Sequence, residues 1–184
     1  RVFWVDRQSD RIVVGAKRLA TVKDDEDRHN YAYVFYGDTF FENSKEPKWA
    51  GMGHEMIAFT HYYIVENGES FYLHAGESVP ITDFEVPRVR HNYKETSDDK
   101  AAWDILMNAI ADGISSGEVT KVVSSREVQF TSKTPYNVAS ILANLVDNNP
   151  NCFIFGYEKD GRTFVGASPE ILVRHRGSEI LSYA

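Results

Sequence analysis

At 184 residues, with 42% hydrophobic and 13% aromatic content, the chain carries enough apolar material for one packed domain, which excludes disorder as its main state. Its 20 Lys and Arg against 27 Asp and Glu leave a net charge of −7, so no global positive field draws it to nucleic acid or anionic lipid, and an anionic small substrate must be held by local charges. Cys152, the single cysteine, cannot close an internal disulfide and fits a reducing, cytoplasmic setting; no apolar run approaches the roughly 18–20 residues of a membrane span, and no signal sequence is visible.

The first ninety residues read as antiparallel β structure. Residues 1–6 and 11–16 are short apolar runs separated by the turn-rich Arg7-Gln8-Ser9-Asp10. The charge run Asp24-Asp25-Glu26-Asp27-Arg28 fits a solvated loop or helix edge. Residues 31–37 are aromatic and apolar, as a buried strand should be. Residues 55–65 and 70–74 flank Glu66-Asn67-Gly68-Glu69, where Asn-Gly supplies the positive-φ pair of a tight hairpin. Pro80 and Pro87 then punctuate an irregular link.

After Thr96 the period changes. Ser97 with Asp98 and Asp99 offers a helix N-cap, and Trp103, Leu106, Ile110 and Ile114 recur on one stripe until Ser115-Ser116-Gly117 ends the helix. Residues 119–130 alternate as a strand. Thr134-Pro135 opens a second helix with a stripe of Val138, Ile141, Leu142 and Leu145, stopped by Asn148-Asn149-Pro150. Residues 152–157 and 162–165 form a hairpin around Lys159-Asp160-Gly161, and residues 171–174 with 179–182 form another around Gly177. The expected fold is α+β, a mainly antiparallel sheet with two helices packed on one face.

Two residues stand out as candidates for chemistry. In the strand 119–130, alternation puts Lys121, Val123 and Ser125 on one face and Val122, Ser124 and Arg126 on the other. Val119 and Val123 would surround Lys121 with apolar groups, and desolvation of that kind lowers a lysine from about 10.4 towards the roughly 7–8 useful for a general base. The plain alternative is an edge lysine in solvent. Glu170 follows Ala167-Ser168-Pro169, where proline fixes a rigid corner, and Ile171 and Leu172 beside it predict partial burial that would favour a protonated general acid. The alternative there is a solvent-facing turn glutamate.

The same two stretches carry a resemblance. Lys121-Val122-Val123-Ser124-Ser125-Arg126 followed by Gly166-Ala167-Ser168-Pro169-Glu170 resembles the chorismate-utilising enzymes, and among them most closely the isochorismate synthases. Fainter echoes lie in Phe35-Tyr36-Gly37-Asp38-Thr39-Phe40 and Lys48-Trp49-Ala50-Gly51-Met52-Gly53, while Ser124-Ser125 departs from the family's usual Leu-Ala or Leu-Ser. The resemblance implies the first part of an α/β sandwich like that of anthranilate synthase component I. Residues 1–184 would then be an incomplete single domain, with a β-rich part over 1–96 and the start of the catalytic core over 97–184. It also implies that Lys121 activates water for attack at C2 of chorismate and that Glu170 protonates the departing C4 hydroxyl. The activity would be that of a magnesium-dependent isomerase, with Mg²⁺ and substrate-carboxylate ligands downstream of Ala184, serving menaquinone or siderophore biosynthesis. A salicylate synthase, which goes on to eliminate pyruvate, shares both residues. A non-catalytic fragment is the reading from another class, because the strand-like ends without an initiator methionine look cut from something longer, and the missing C-terminal half would be the partner.

Other signals point away from competing classes. The six histidines form no i, i+4 pair with a cysteine partner, which argues against a zinc site, and Gly51-Met52-Gly53 lacks the third glycine of a dinucleotide fingerprint. Arg174-His175-Arg176 reads as a solvated basic cluster.

Overall fold

A computed structural model describes residues 1–39, 47–81, 85–97 and 99–182. Phe40 of the upstream echo, Asp98 of the expected helix cap and the last two residues lie outside the described residues. The chain divides into two compact units, residues 1–87 with 138–184, and residues 88–137.

The first unit is built on a seven-stranded antiparallel sheet. Its strands are β1 (Val2–Asp6), β2 (Arg11–Val22), β3 (Phe35–Gly37), β4 (Glu55–Glu66), β5 (Glu69–His74), β8 (Phe153–Lys159) and β9 (Arg162–Ser168). They pair in the order β3-β4-β2-β1-β8-β9, with β5 also on β4. The hairpin between β4 and β5 turns where the sequence predicts, with Asn67 at φ 52° and Gly68 at φ 78°. The turn between β8 and β9 uses Asp160 and Gly161 in the same way. The run predicted over 31–37 forms a strand only at its end, because residues 31–34 follow a one-turn helix, α1 (Asp25–Arg28), and only Phe35, Tyr36 and Gly37 meet β4. The Asp24 carboxylate accepts from Asp27 N at 2.8 Å and caps α1, so the charge run is a helix start.

The core lies around β4. Ile57, Phe59, Tyr62 and Ile64 are buried together with Val2, Met52 and Tyr157. Tyr62 satisfies its hydroxyl inside that core by donating to Tyr33 O at 2.6 Å and accepting from Phe59 N at 2.8 Å. Two strands separate β8 from β4 in the sheet, yet Glu55 on β4 accepts hydrogen bonds from Tyr157 (2.6 Å) and Lys159 (2.5 Å) on β8. Such contact requires the sheet to curl until its two sides face each other. Arg18 on β2 completes the cluster at 2.8 Å.

The helix α3 (Val138–Asn148) packs on β8 and β9, with Leu142 lying over Gly156, and Ile154 is fully buried. The predicted start at Thr134-Pro135 is three residues early. Asn137 N donates to His91 Nε2 at 3.0 Å and Tyr136 packs on the same ring, so these residues are spent on another contact before the helix begins. A small hairpin of β10 (Arg174–Arg176) and β11 (Glu179–Leu181) follows, turning at Gly177 with φ 59°. Arg174 anchors it through Asp6 and lies 5.6 Å from the Phe153 ring centroid.

The second unit holds α2 (Lys100–Ser115) and a two-stranded ladder of β6 (Tyr93–Glu95) with β7 (Phe130–Ser132). Gly117, at φ 75°, closes α2 as the sequence predicts. Two expectations fail here. Ser97 does not cap the helix: its hydroxyl accepts from Gln129 N at 2.8 Å, and Asp99 is the capping residue without a side-chain cap bond. No residue of α2 is buried. The strand over 119–130 forms only from Phe130 onward. In the ladder, Tyr93 faces Ser132, Lys94 faces Thr131 and Glu95 faces Phe130; extending that register would set residue 121 opposite residue 104, which is inside α2. The segment outruns its partner strand, and among the described residues no other strand pairs with it.

Candidate functional site

Lys121 lies in the second unit, in a segment that leaves the helix end and runs without turn or bend from residue 121 to 129. The side chain is exposed, and the expected apolar surround is absent because Val123 is 85% exposed. Further along the segment, Arg126 forks onto Asp99 with Nη2 at 2.7 Å and Nε at 3.0 Å. That fork holds the Asp99 carboxyl below its usual range and raises the guanidinium.

Glu170 belongs to the first unit, two residues past the end of β9. Its amide donates to Ser168 Oγ at 3.2 Å, a turn around Pro169 that makes the predicted corner. The predicted burial does not occur. Glu170 is exposed and Leu172 is 86% exposed. The glycine of the motif has a packing role: Gly166 sits opposite Phe155 across the β8–β9 ladder, and the ring occupies the space a β-carbon at 166 would need.

A half-open pocket of about 690 Å³ in the first unit is lined mainly by aromatic rings, among them Trp4, Phe35, Trp49, Phe155 and Phe164. Neither Lys121 nor Glu170 lines it. At its rim the Asp38 carboxylate accepts from Tyr36 OH (2.5 Å), Thr39 N (2.7 Å) and His54 Nδ1 (2.7 Å). The Tyr36 hydrogen bond is the main reason that Asp38 is held below the usual carboxylate range.

The residues do not fit a magnesium centre. Among the described residues no three His, Cys, Asp or Glu side chains gather in a way that could hold a metal ion. Asp99, the carboxylate that holds the lysine-bearing segment through Arg126, already has both oxygens on that guanidinium. Among the described residues no helix is long and apolar enough to cross a membrane.

A family model described as chorismate binding enzyme matches residues 77–184, a stretch that contains Lys121, Glu170 and the Arg126 fork. The chain belongs to the chorismate binding enzyme family. Its similar relatives include the isochorismate synthase MenF of Bacillus subtilis (strain 168), 33% identical over 84 residues that make 46% of this chain and 18% of that protein. A putative isochorismate synthase of Aeromonas hydrophila is 33% identical over 78 residues, 42% of this chain and 20% of that protein. The isochorismate synthase DhbC of the same B. subtilis strain is 32% identical over 76 residues, 38% of this chain and 19% of that protein. The chain thus aligns with only about a fifth of the length of these relatives. No solved structure matches it.

Sequence reading missed the Arg126–Asp99 fork and the Glu55 cluster. Asp99 was visible as an acidic residue at a helix start, but its partner lies 27 positions away. Glu55 and Lys159 are 104 positions apart, and only the curl of the sheet brings them together.

Proposed function

We propose that these residues are part of an isochorismate synthase and carry the base and the acid of its reaction. The observation that supports this most is that both motifs lie inside the family match, in a chain whose similar relatives bear that name. Lys121, with its amine free, takes a proton from water as the water oxygen bonds to C2 of chorismate. The ring diene shifts, the C4–O bond breaks, and Glu170 gives its proton to the departing hydroxyl. The net change is water added and water released, so base and acid must be separate and start in opposite protonation states. Both side chains are exposed on these residues, and bound substrate is what would exclude water from them. Residues 1–96 form its β-rich part and 97–184 the start of its catalytic core. Mg²⁺ and the substrate carboxylates are held by groups outside these residues.

The test is turnover of chorismate by the complete protein in the presence of Mg²⁺. Isochorismate accumulates with the parent, and Lys121→Ala brings turnover to background while the protein stays folded by circular dichroism. Near-normal turnover in that variant ends the assignment. Glu170→Gln is expected to lose at least about 100-fold, within the usual range for a general acid. Salicylate and pyruvate as products would move the assignment to a salicylate synthase. Residues 1–184 alone should give no calorimetric signal with chorismate and Mg²⁺.

A further inference from the structure

The segment that bears Lys121 has no ladder along its length, yet residues 121–129 show no turn or bend, and it is tied to α2 at two places. At the first, Val119 N and Glu118 N both donate to Gly113 O, at 3.2 and 3.0 Å, near the C-terminal end of α2. At the second, Arg126 forks onto Asp99 at the N-terminal end of the same helix. Between Asp99 and Gly113 the helix rises 113 − 99 = 14 residues, about 21 Å at ~1.5 Å each. From Val119 to Arg126 the returning chain has 126 − 119 = 7 residues, which reach about 23 Å at ~3.3 Å each when extended. The Arg126 and Asp99 side chains add their own reach to that span, so the two ties hold the segment beside the helix, and residues 121–129 run between them without a turn or bend.

Extension imposes a period of two whether or not a neighbouring strand is present. Val122 and Ser124 then share the side of Arg126, and Lys121 and Val123 take the opposite side. The exposures agree: Val122 is 42% exposed and Val123 is 85% exposed.

We infer that Arg126 and Asp99 are positioning residues for Lys121: their fork ties the segment to the N-terminal end of α2 five residues past the lysine and fixes which side the amine faces. The inference rests on the proposed role of Lys121. Without the fork, the next tie on that side is Gln129, whose carbonyl accepts from Thr96 N and whose amide donates to Ser97 Oγ, eight residues past the lysine, so the stretch that carries Lys121 is held less closely.

The experiment is steady-state kinetics of the complete protein with chorismate and Mg²⁺, on Arg126→Ala, Asp99→Asn, Arg126→Lys, and Arg126→Ala combined with Lys121→Ala. Arg126→Ala is expected to lower kcat about 10- to 100-fold with KM within about twofold, as a misplaced catalytic group does. Asp99→Asn, which keeps the shape of the side chain and removes its charge, lowers kcat in the same direction and carries the test where Arg126→Ala does not fold. Arg126→Lys recovers part of the loss. In the Lys121→Ala background, Arg126→Ala changes the residual rate by less than about twofold, because a positioning residue has nothing left to position. Full loss in Lys121→Ala with kcat unchanged in Arg126→Ala and Asp99→Asn overturns the positioning role alone. An undiminished further loss in the Lys121→Ala background does the same. Retained turnover in Lys121→Ala sinks the proposed reaction and the positioning role with it.

Discussion

The residues before the family match and those within it contain similar apolar material but bury it differently. Among the described residues, nine of the twelve buried core side chains, from Val2 to Ile64, precede residue 77, and only Phe153, Ile154 and Tyr157 follow it. Large exposed hydrophobic side chains run the other way, with six before residue 77 and seventeen after, including Ile105, Val123, Leu172 and Ile180 at more than two-thirds exposure. The early strands close a core because each finds a neighbour within the chain and because β8 and β9 return to complete the curl. The matched stretch carries the candidate chemistry on an amphipathic helix, an unpaired strand-like segment and a small hairpin whose apolar sides have no cover among the described residues. Binary pattern alone does not separate the two cases: a stripe reads the same whether or not the surface opposite it is present.

Core truncation breaks this comparison most directly. Ile154→Ala, at a fully buried position, is expected to cost about 3–4 kcal/mol through lost transfer energy and a cavity, whereas Ile105→Ala, 71% exposed on α2, should change stability by less than about 0.5 kcal/mol. Urea unfolding of the two variants decides the matter. Equal losses would mean that α2 is covered in solution by something the described residues do not supply.

A second variant sharpens the boundary, because the Gly-Ala-Ser-Pro-Glu motif begins inside the well-packed sheet and leaves it at Pro169. Gly166→Ala forces a methyl into the space of the Phe155 ring and should destabilise by about 2 kcal/mol, in the range of overpacking. Phe155→Ala added to it should remove most of that penalty, and a strictly additive double mutant would show that the ring is not the cause.

The features legible in the sequence were those set by local rules. Asn67-Gly68, Asp160-Gly161 and Gly177 placed three hairpin turns, and Gly117 placed the end of α2, because positive φ is a requirement each residue meets alone. The family itself was legible from two short motifs. What could not be read were features that depend on partners. Whether residues 119–130 become a strand turns on a register that runs out into α2, and whether Glu170 is buried turns on what covers Leu172. Ser97 reads as a cap by type, yet its hydroxyl answers an amide 32 positions away.

The smallest of the expected effects tests how the curl is fastened. Burial pushes the Glu55 carboxyl upward, but hydrogen bonds from Lys159, Tyr157 and Arg18 outweigh it and hold the group below its ordinary value of 4.5. The same contact works on Tyr157, where burial first and the Glu55 carboxylate second raise the phenol well above its usual range. A carboxylate whose folded value is depressed contributes stability that is fully present above about pH 4.5 and is lost as the pH falls through the folded value. Glu55→Gln leaves two cations around a neutral amide and should cost about 1–2 kcal/mol at pH 7, less than Ile154→Ala, because the cluster is only partly shielded from water. Asp6 is also depressed and titrates in the same acid range, so the parent's acid sensitivity alone would not isolate Glu55. The difference between parent and variant does: it should be constant between about pH 6 and pH 8 and shrink below about pH 4.5, as the parent's carboxylate takes up the proton that the amide never needed. A gap that stays constant through pH 3 would show that Glu55 fastens β4 to β8 by shape and not by charge.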